Sequence, residues 1–262
     1  MRYVAKDLGD AADISAGQGN QYFELFKLFF LALVLIISLY FIAVFSSEYF
    51  ISHITIEEEK NWFGKLSLDD FQEVDSETED KLSNQILQRL IKDASVPDLD
   101  YHIFVIDDPN INAFAFPGGA IGITSGLLKE IDDEIPLAFI IGHELGHFKY
   151  RHHLRGFSRA LSISFIFSLF LGEANDLVIT QNMLSLLESG HSQQQEMESD
   201  LFSAKLVHDN YGSTENIEAL FLILKQREKD KLSLPFLSTH PSSEDRIEKL
   251  NQYTHQLKLE SP

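Results

Sequence analysis

The chain has 262 residues, enough for one large domain or two small ones, and its 44% apolar and 23% charged content is that of an ordinary globular protein. Asp and Glu number 40 against 21 Lys and Arg, a net charge of -19 that repels phosphate backbones and argues against nucleic acid as a partner. The absence of cysteine excludes disulfide scaffolds, cysteine-ligated zinc ribbons, iron–sulfur clusters and thiol nucleophiles.

Residues 1–24, with the small polar run AADISAGQGNQ, read as a flexible tail. From Leu28 to Phe45 the chain runs LFFLALVLIISLYFIAVF, 18 residues without a charge. As a helix this covers about 27 Å, close to the hydrocarbon thickness of a bilayer. Tyr22, Phe23, Tyr49 and Phe50 stand where an aromatic belt would lie, and residues 25–47 are read as one transmembrane helix. The stretch before it is too long for the n-region of a cleaved signal, so the span is read as an uncleaved anchor. Arg2, Lys6 and Lys27 precede the span and Lys60 and Lys65 follow it, which places the tail in the cytoplasm. The bulk of the chain then faces the periplasmic, non-cytoplasmic side of a single-pass membrane protein.

Residues 48–255 are expected to form one domain, followed by a C-terminal tail over 256–262. Residues 52–96 have helical character, interrupted by the acidic VDSETED, and LSNQILQRLIKDA carries apolar residues at helical spacing up to Pro97. Tyr101–Ile106, Asn112–Phe116 and Ala120–Thr124 read as strands, the last two joined by the turn Pro117-Gly118-Gly119. The period then becomes helical from Asp133, a candidate N-cap, to His153, with Pro136 in the first turn. KYRHHLR at 149–155 is the one basic cluster, read either as favourable charge at a helix end or as a contact for anionic head groups. The apolar run over 160–172 is too short to span a bilayer, and reads as a core, interfacial or re-entrant helix. The fold class is α+β, mainly helical, with a small β-sheet.

Chemistry concentrates in HELGH, His143 to His147. Two histidines four apart share a helical face, so both imidazoles can reach one metal ion, and Glu144 stands beside it as a proton acceptor. Imidazole pairs suit zinc, a Lewis acid without redox activity. Gly142 and Gly146 each cost the helix about 1 kcal/mol against alanine, which suggests that another backbone or a substrate comes close. Further on, QQQEMESD places Glu196 and Asp200 on one face, the first able to ligate a metal and the second to hold a histidine N–H. Glu198 points elsewhere. His240, just before Pro241, stands at the entrance of a final polar helix.

NAFAFPGGAIGITSGLL from Asn112, HELGH from His143, EMESD from Glu196 and THPSSEDRI from Thr239 occur in this order. Together they resemble the zinc metallopeptidase family containing the CAAX prenyl proteases, the HtpX heat-shock proteases, the Oma-type mitochondrial proteases and the BepA-type periplasmic proteases. The resemblance implies a zincin (gluzincin) fold with one Zn2+ per chain on His143, His147 and Glu196. It makes Glu144 the general base, has Asp200 orient His143, and places Arg246, which matches the arginine that follows the family's His-Pro motif, with Asp200 behind the metal ligands. Asn112, Ala113, Phe114, Ala115 and Phe116 look like the family's edge strand, which holds the substrate backbone, with Phe114 and Phe116 offering apolar contact. His240 is expected either to stabilise the oxyanion or to occupy the open position of resting zinc. The implied function is a membrane-anchored zinc endopeptidase acting on unfolded or misassembled envelope and membrane proteins. The alternative is a zinc-containing anchored chaperone or assembly factor. The CAAX and HtpX branches resemble multi-span proteins, and a single span builds no intramembrane chamber for prenyl peptides. Nothing in the sequence sets an oligomeric state.

Overall fold

The structure, a computed structural model, describes residues 21–63, 77–131, 133–156, 158, 191–217, 220–221, 240 and 244–260. The chain divides into two units, residues 1–43 and 44–262. Helix α1 (Gln21–His53) begins in the first and overruns the expected 25–47 at both ends. Its stretch Tyr22–Ile42, 21 residues, is long and apolar enough to cross a membrane. Phe29 and Leu31 are 67% and 65% exposed, whereas the core helix of a soluble domain would hide them. Residues 1–20 of the expected tail, the apolar run over 160–172 and Pro241 lie outside the described residues.

In the second unit, helix α2 (Ile56–Phe63) is started by a reciprocal cap. The Thr55 N–H donates to Glu58 Oε2 at 2.8 Å and the Glu58 N–H to Thr55 Oγ1 at 3.2 Å. Helix α3 (Glu77–Leu90) starts inside VDSETED, so the last four residues of the expected interruption are helical. Acidic residues suit the positive end of a helix dipole. The three expected strands form as β1 (His102–Ile106), β2 (Ala113–Ala115) and β3 (Ala120–Thr124). Their order is β1-β3-β2, with β3 parallel to β1 and antiparallel to β2. Asn84 of α3 pairs through its amide with both main-chain groups of Ile103, covering the outer edge of β1. The other edge, β2, pairs with no further strand among the described residues. Gly118 and Gly119 turn β2 into β3 at φ 95° and 108°, values that side chains rarely tolerate.

Helix α4 (Ser125–Glu130), capped by Thr124, leads to α5 (Glu134–Lys149), buried without a break from Pro136 to Phe148. Asp133 holds the N-cap position, but its carboxylate accepts from Asn216 Nδ2 at 2.9 Å instead of capping the helix. The helix stops four residues before the expected His153. Arg151, at φ 58°, turns the chain, and residues 152–156 start a separate helical turn. Helix α6 (Gln193–Tyr211) opens with a capping box of Ser192 and Gln195 and closes at Gly212 in the left-handed conformation. Helix α7 (Glu244–Glu260) runs past residue 255, with Leu257 buried, so the expected tail from 256 is helical to Glu260.

The core lies between the sheet and helices α3, α5 and α6, with Leu87, Leu90, Ile121, Ile141, Leu145 and Val207 almost fully buried. The contact of α5 with α6 is close because of its glycines. A Cβ at Gly146 would sit 2.8 Å from Ser199 Cα, and one at Gly142 2.6 Å from Ser203 Oγ. The approaching group is therefore the backbone of α6, one of the two possibilities the sequence leaves open. This approach sets Glu196 and Asp200 against the HELGH face.

Candidate metal centre

Helix α5 points His143 and His147 towards α6, with their Nε2 atoms 3.0 Å apart. Glu196, in the first turn of α6, places Oε2 3.4 Å from His143 Nε2 and Oε1 3.4 Å from His147 Nε2. His240 closes the group: its Nδ1 lies 3.2 Å from His143 Nε2 and 3.2 Å from each Glu196 oxygen. One donor atom from each of these four buried residues falls within 4.8 Å of the others. Lone pairs packed this closely repel unless a proton or a cation lies among them, so the four residues can hold a metal ion.

Glu196 and Asp200 are themselves held. His143 Nδ1 meets Asp200 Oδ1 at 2.8 Å. Arg246, on α7 and 2% exposed, donates from Nη2 to Asp200 Oδ1 at 2.9 Å and from Nε to Oδ2. The same guanidinium reaches Glu196 Oε2 through Nη1 at 2.8 Å. The family resemblance sets Arg246 beside Asp200 as a support for the metal ligands. The structure has it bracing both carboxylates.

Burial opposes charge on His143, but Glu196 and Asp200 outweigh it and push its pKa up to about 10. Burial alone would raise Glu196, yet His240 and His143 bring it well below the ordinary carboxylate range. Asp200 is likewise lowered against burial, chiefly by Arg246. His147 is pushed well down by burial, with His191 adding to it. Glu144 goes the other way, raised by burial that His240 and His143 only partly offset.

Glu144 is 1% exposed, and neither of its oxygens makes a hydrogen bond of good geometry. His240 Nε2 at 3.6 Å and the Ala115 main chain are the groups that face it. A buried carboxyl without a well-formed hydrogen bond is costly, and this one lies where a molecule in the site could supply a donor.

The edge strand runs beside the cluster. His240 Nε2 lies 3.2 Å from Ala113 O, so with its proton there it presents the Nδ1 lone pair to the other ligands. Asn112 stiffens the strand, its Oδ1 accepting from the Ala113 N–H at 3.0 Å while its N–H donates to Thr124 Oγ1. Phe114 and Phe116 do not supply the apolar contact expected of them. Both rings are buried with Phe104, so the strand offers its main chain instead.

Three residues of this region were given no part in the metal centre by sequence reasoning. His191 stacks on His147 with ring centroids 3.9 Å apart, and His152 Nδ1 lies 3.1 Å from His147 Nδ1. Glu59 on α2, 1% exposed, accepts from His153 Nε2 at 2.8 Å, Arg151 Nη2 at 3.1 Å and the Gly118 N–H at 3.3 Å. The cluster at 149–155 is therefore not a surface for head groups at its centre: His152 and His153 are buried and Arg151 is paired. The signal available was the two adjacent histidines, unusual on a solvated helix end.

A family model described as peptidase family M48 matches residues 77–254. The chain belongs to peptidase family M48. The match covers the sheet, α5, α6 and the start of α7, the elements that carry the metal cluster of this M48 metallopeptidase domain. The mitochondrial metalloendopeptidase OMA1 of Schizosaccharomyces pombe is 28% identical over 204 residues, 72% of this chain and 60% of the relative. OMA1 of Arabidopsis thaliana is 30% identical over 59% of this chain and 32% of its own length. The beta-barrel assembly-enhancing protease of Escherichia coli is 25% identical over 67% of this chain and 39% of its own. The chain thus matches between about one third and 60% of the length of these relatives.

Proposed function

We propose that this M48 chain is a membrane-anchored zinc endopeptidase, with His143, His147 and Glu196 holding one Zn2+ and Glu144 acting as general base. Zinc at about 2.0–2.1 Å from nitrogen, in a tetrahedral site, sets its ligands about 3.3 Å apart. The separations of 3.0–3.4 Å among His143, His147 and Glu196, which faces each histidine with a different oxygen, are close to that figure. The observation that carries the reading is the pairing of this ligand set with the buried carboxylate of Glu144, whose oxygens make no hydrogen bond of good geometry. When bound, zinc supplies a Lewis acid that activates water and polarises a carbonyl.

The residues divide the remaining work. Glu144, its pKa raised by burial, takes a proton from the attacking water and delivers it to the leaving amine. The edge strand β2, which pairs with no further strand among the described residues, holds a peptide by main-chain hydrogen bonds, with Ala113 and Ala115 next to the cluster. Recognition through main chain suits unfolded or misassembled envelope and membrane proteins better than one folded target. Asp200 and Arg246 keep His143 and Glu196 in place. The anchor is α1, with the catalytic domain on the non-cytoplasmic side by the cation count.

One observation favours the second reading, a zinc-containing chaperone or assembly factor. His240 Nδ1 lies in the ligand cluster, and a four-ligand site leaves no open position. Against it stands Glu144, which a structural site would not need. We therefore read His240 as the ligand of a closed resting state.

The full chain in detergent is expected to bind about one zinc, and His143→Ala or Glu196→Ala to abolish tight binding. Glu144→Gln should keep the zinc and lose on the order of 100-fold or more in cleavage of unfolded casein. Casein cleavage by Glu144→Gln at the wild-type rate would remove Glu144 as the base and leave the chaperone reading.

A further inference from the structure

The second ligand histidine has backing of a different kind from the first. The Nε2 of His147 faces His143 Nε2 and Glu196 Oε1, at 3.0 and 3.4 Å. If that nitrogen gives its lone pair to a metal, the ring proton must sit on Nδ1. Nδ1 lies 3.1 Å from Nδ1 of His152, which must then accept and so carry its own proton on Nε2. The Nε2 of His152 lies 3.3 Å from Glu198 Oε2, close but angled away from good hydrogen-bond geometry. We propose that His152 is a positioning residue for the metal centre, fixing the tautomer and ring orientation of His147, with Glu198 steering His152 in turn.

The chain brings these groups together by the turn after α5. Arg151 at φ 58° folds the backbone so that His152, 1% exposed, lies against the helix it has just left. Tyr150 stacks on the imidazole, ring centroids 5.5 Å apart, and the imidazole meets His147 edge-on. Glu198 stands on α6 two residues after Glu196, with its side chain 38% exposed. The second ligand is thus backed through an intervening imidazole, whereas His143 meets its carboxylate, Asp200, directly.

This inference rests on the metal site proposed above, and its test separates the two. Zinc affinity of the full chain in detergent is measured by chelator competition, and the ligand field by the visible absorption of the cobalt(II) form. His152→Leu fills the space without an acceptor and is expected to weaken zinc about 10- to 100-fold and shift the cobalt bands. His152→Asn restores an oxygen that can accept the His147 proton, and is expected to recover most of that loss. Glu198→Gln, half-exposed and safe for folding, should shift the bands in the same direction with a smaller loss. Zinc binding by His152→Leu within about twofold of wild type, or no recovery in His152→Asn, overturns the positioning role. A wild-type chain that takes up no zinc overturns the metal centre and this role with it.

Discussion

Replacing Gly146 with alanine tests whether the approach of α6 to α5 builds the metal centre. The added Cβ would meet Ser199 at 2.8 Å from Cα and 3.0 Å from Cβ, against a comfortable carbon contact of about 3.5–4.0 Å. Backbone cannot turn aside, so the helices must separate by roughly 0.5–1 Å. Overpacking of this kind costs about 1–3 kcal/mol, and alanine returns about 1 kcal/mol of helix propensity. The net, about 0–2 kcal/mol, lowers the melting temperature by at most about 8 °C in a domain of this size. The metal suffers more, because ligand distances tolerate only about 0.2 Å and Glu196 rides on the displaced helix. Zinc affinity should fall by one to two orders of magnitude, read by chelator competition alongside a thermal melt. Gly142→Ala differs in kind, since its nearest neighbour is the hydroxyl of Ser203 at 2.6 Å while Ser203 Cα and Cβ stand at 3.4 Å. Pairing it with Ser203→Ala should restore zinc binding, whereas Ser199→Ala should not rescue Gly146→Ala. Gly146→Ala with wild-type zinc affinity would refute the packing argument.

Glu59→Gln should destabilise the folded domain by about 1.5–3 kcal/mol at pH 7, because three donors lose a buried carboxylate. Burial raises the carboxyl's pKa, but His153, Gly118 and Arg151 outweigh it and hold the folded value below the ordinary 4.5. The unfolded chain therefore binds the proton first. The contribution is complete above about pH 4.5 and fades as pH falls through the folded value, so urea melts of wild type and variant should converge in acid. A gap that does not narrow would exclude the linkage. His240→Ala separates its two roles: as the resting ligand, its loss exposes the metal and raises casein cleavage and self-cleavage, the expected result given Nδ1 among the ligands. As an oxyanion donor only, its loss keeps zinc and slows turnover by about 2–4 kcal/mol of barrier. Activity and zinc both unchanged would exclude both.

The elements legible in the sequence are those whose signal is local. The spacing of His143 and His147 puts them on one face of any helix, and Glu196 and Asp200 share a face for the same reason. An uncharged apolar run reads as a span, and Pro-Gly-Gly between two strand-like runs reads as a turn. These follow from the geometry of the chain itself. What only the tertiary structure decided involves partners distant in sequence. The glycines beside the ligands serve the close approach of α6, not a substrate, and the centre of the basic cluster is buried because Glu59, on α2, receives Arg151 and His153. His240 lies within reach of Glu196 and His143, and Arg246 spans the carboxylates of Glu196 and Asp200. A charge in sequence carries no mark of the opposite charge that will face it. Burial creates that demand when helices and sheet close on one core, and the polar groups trapped there must then find one another.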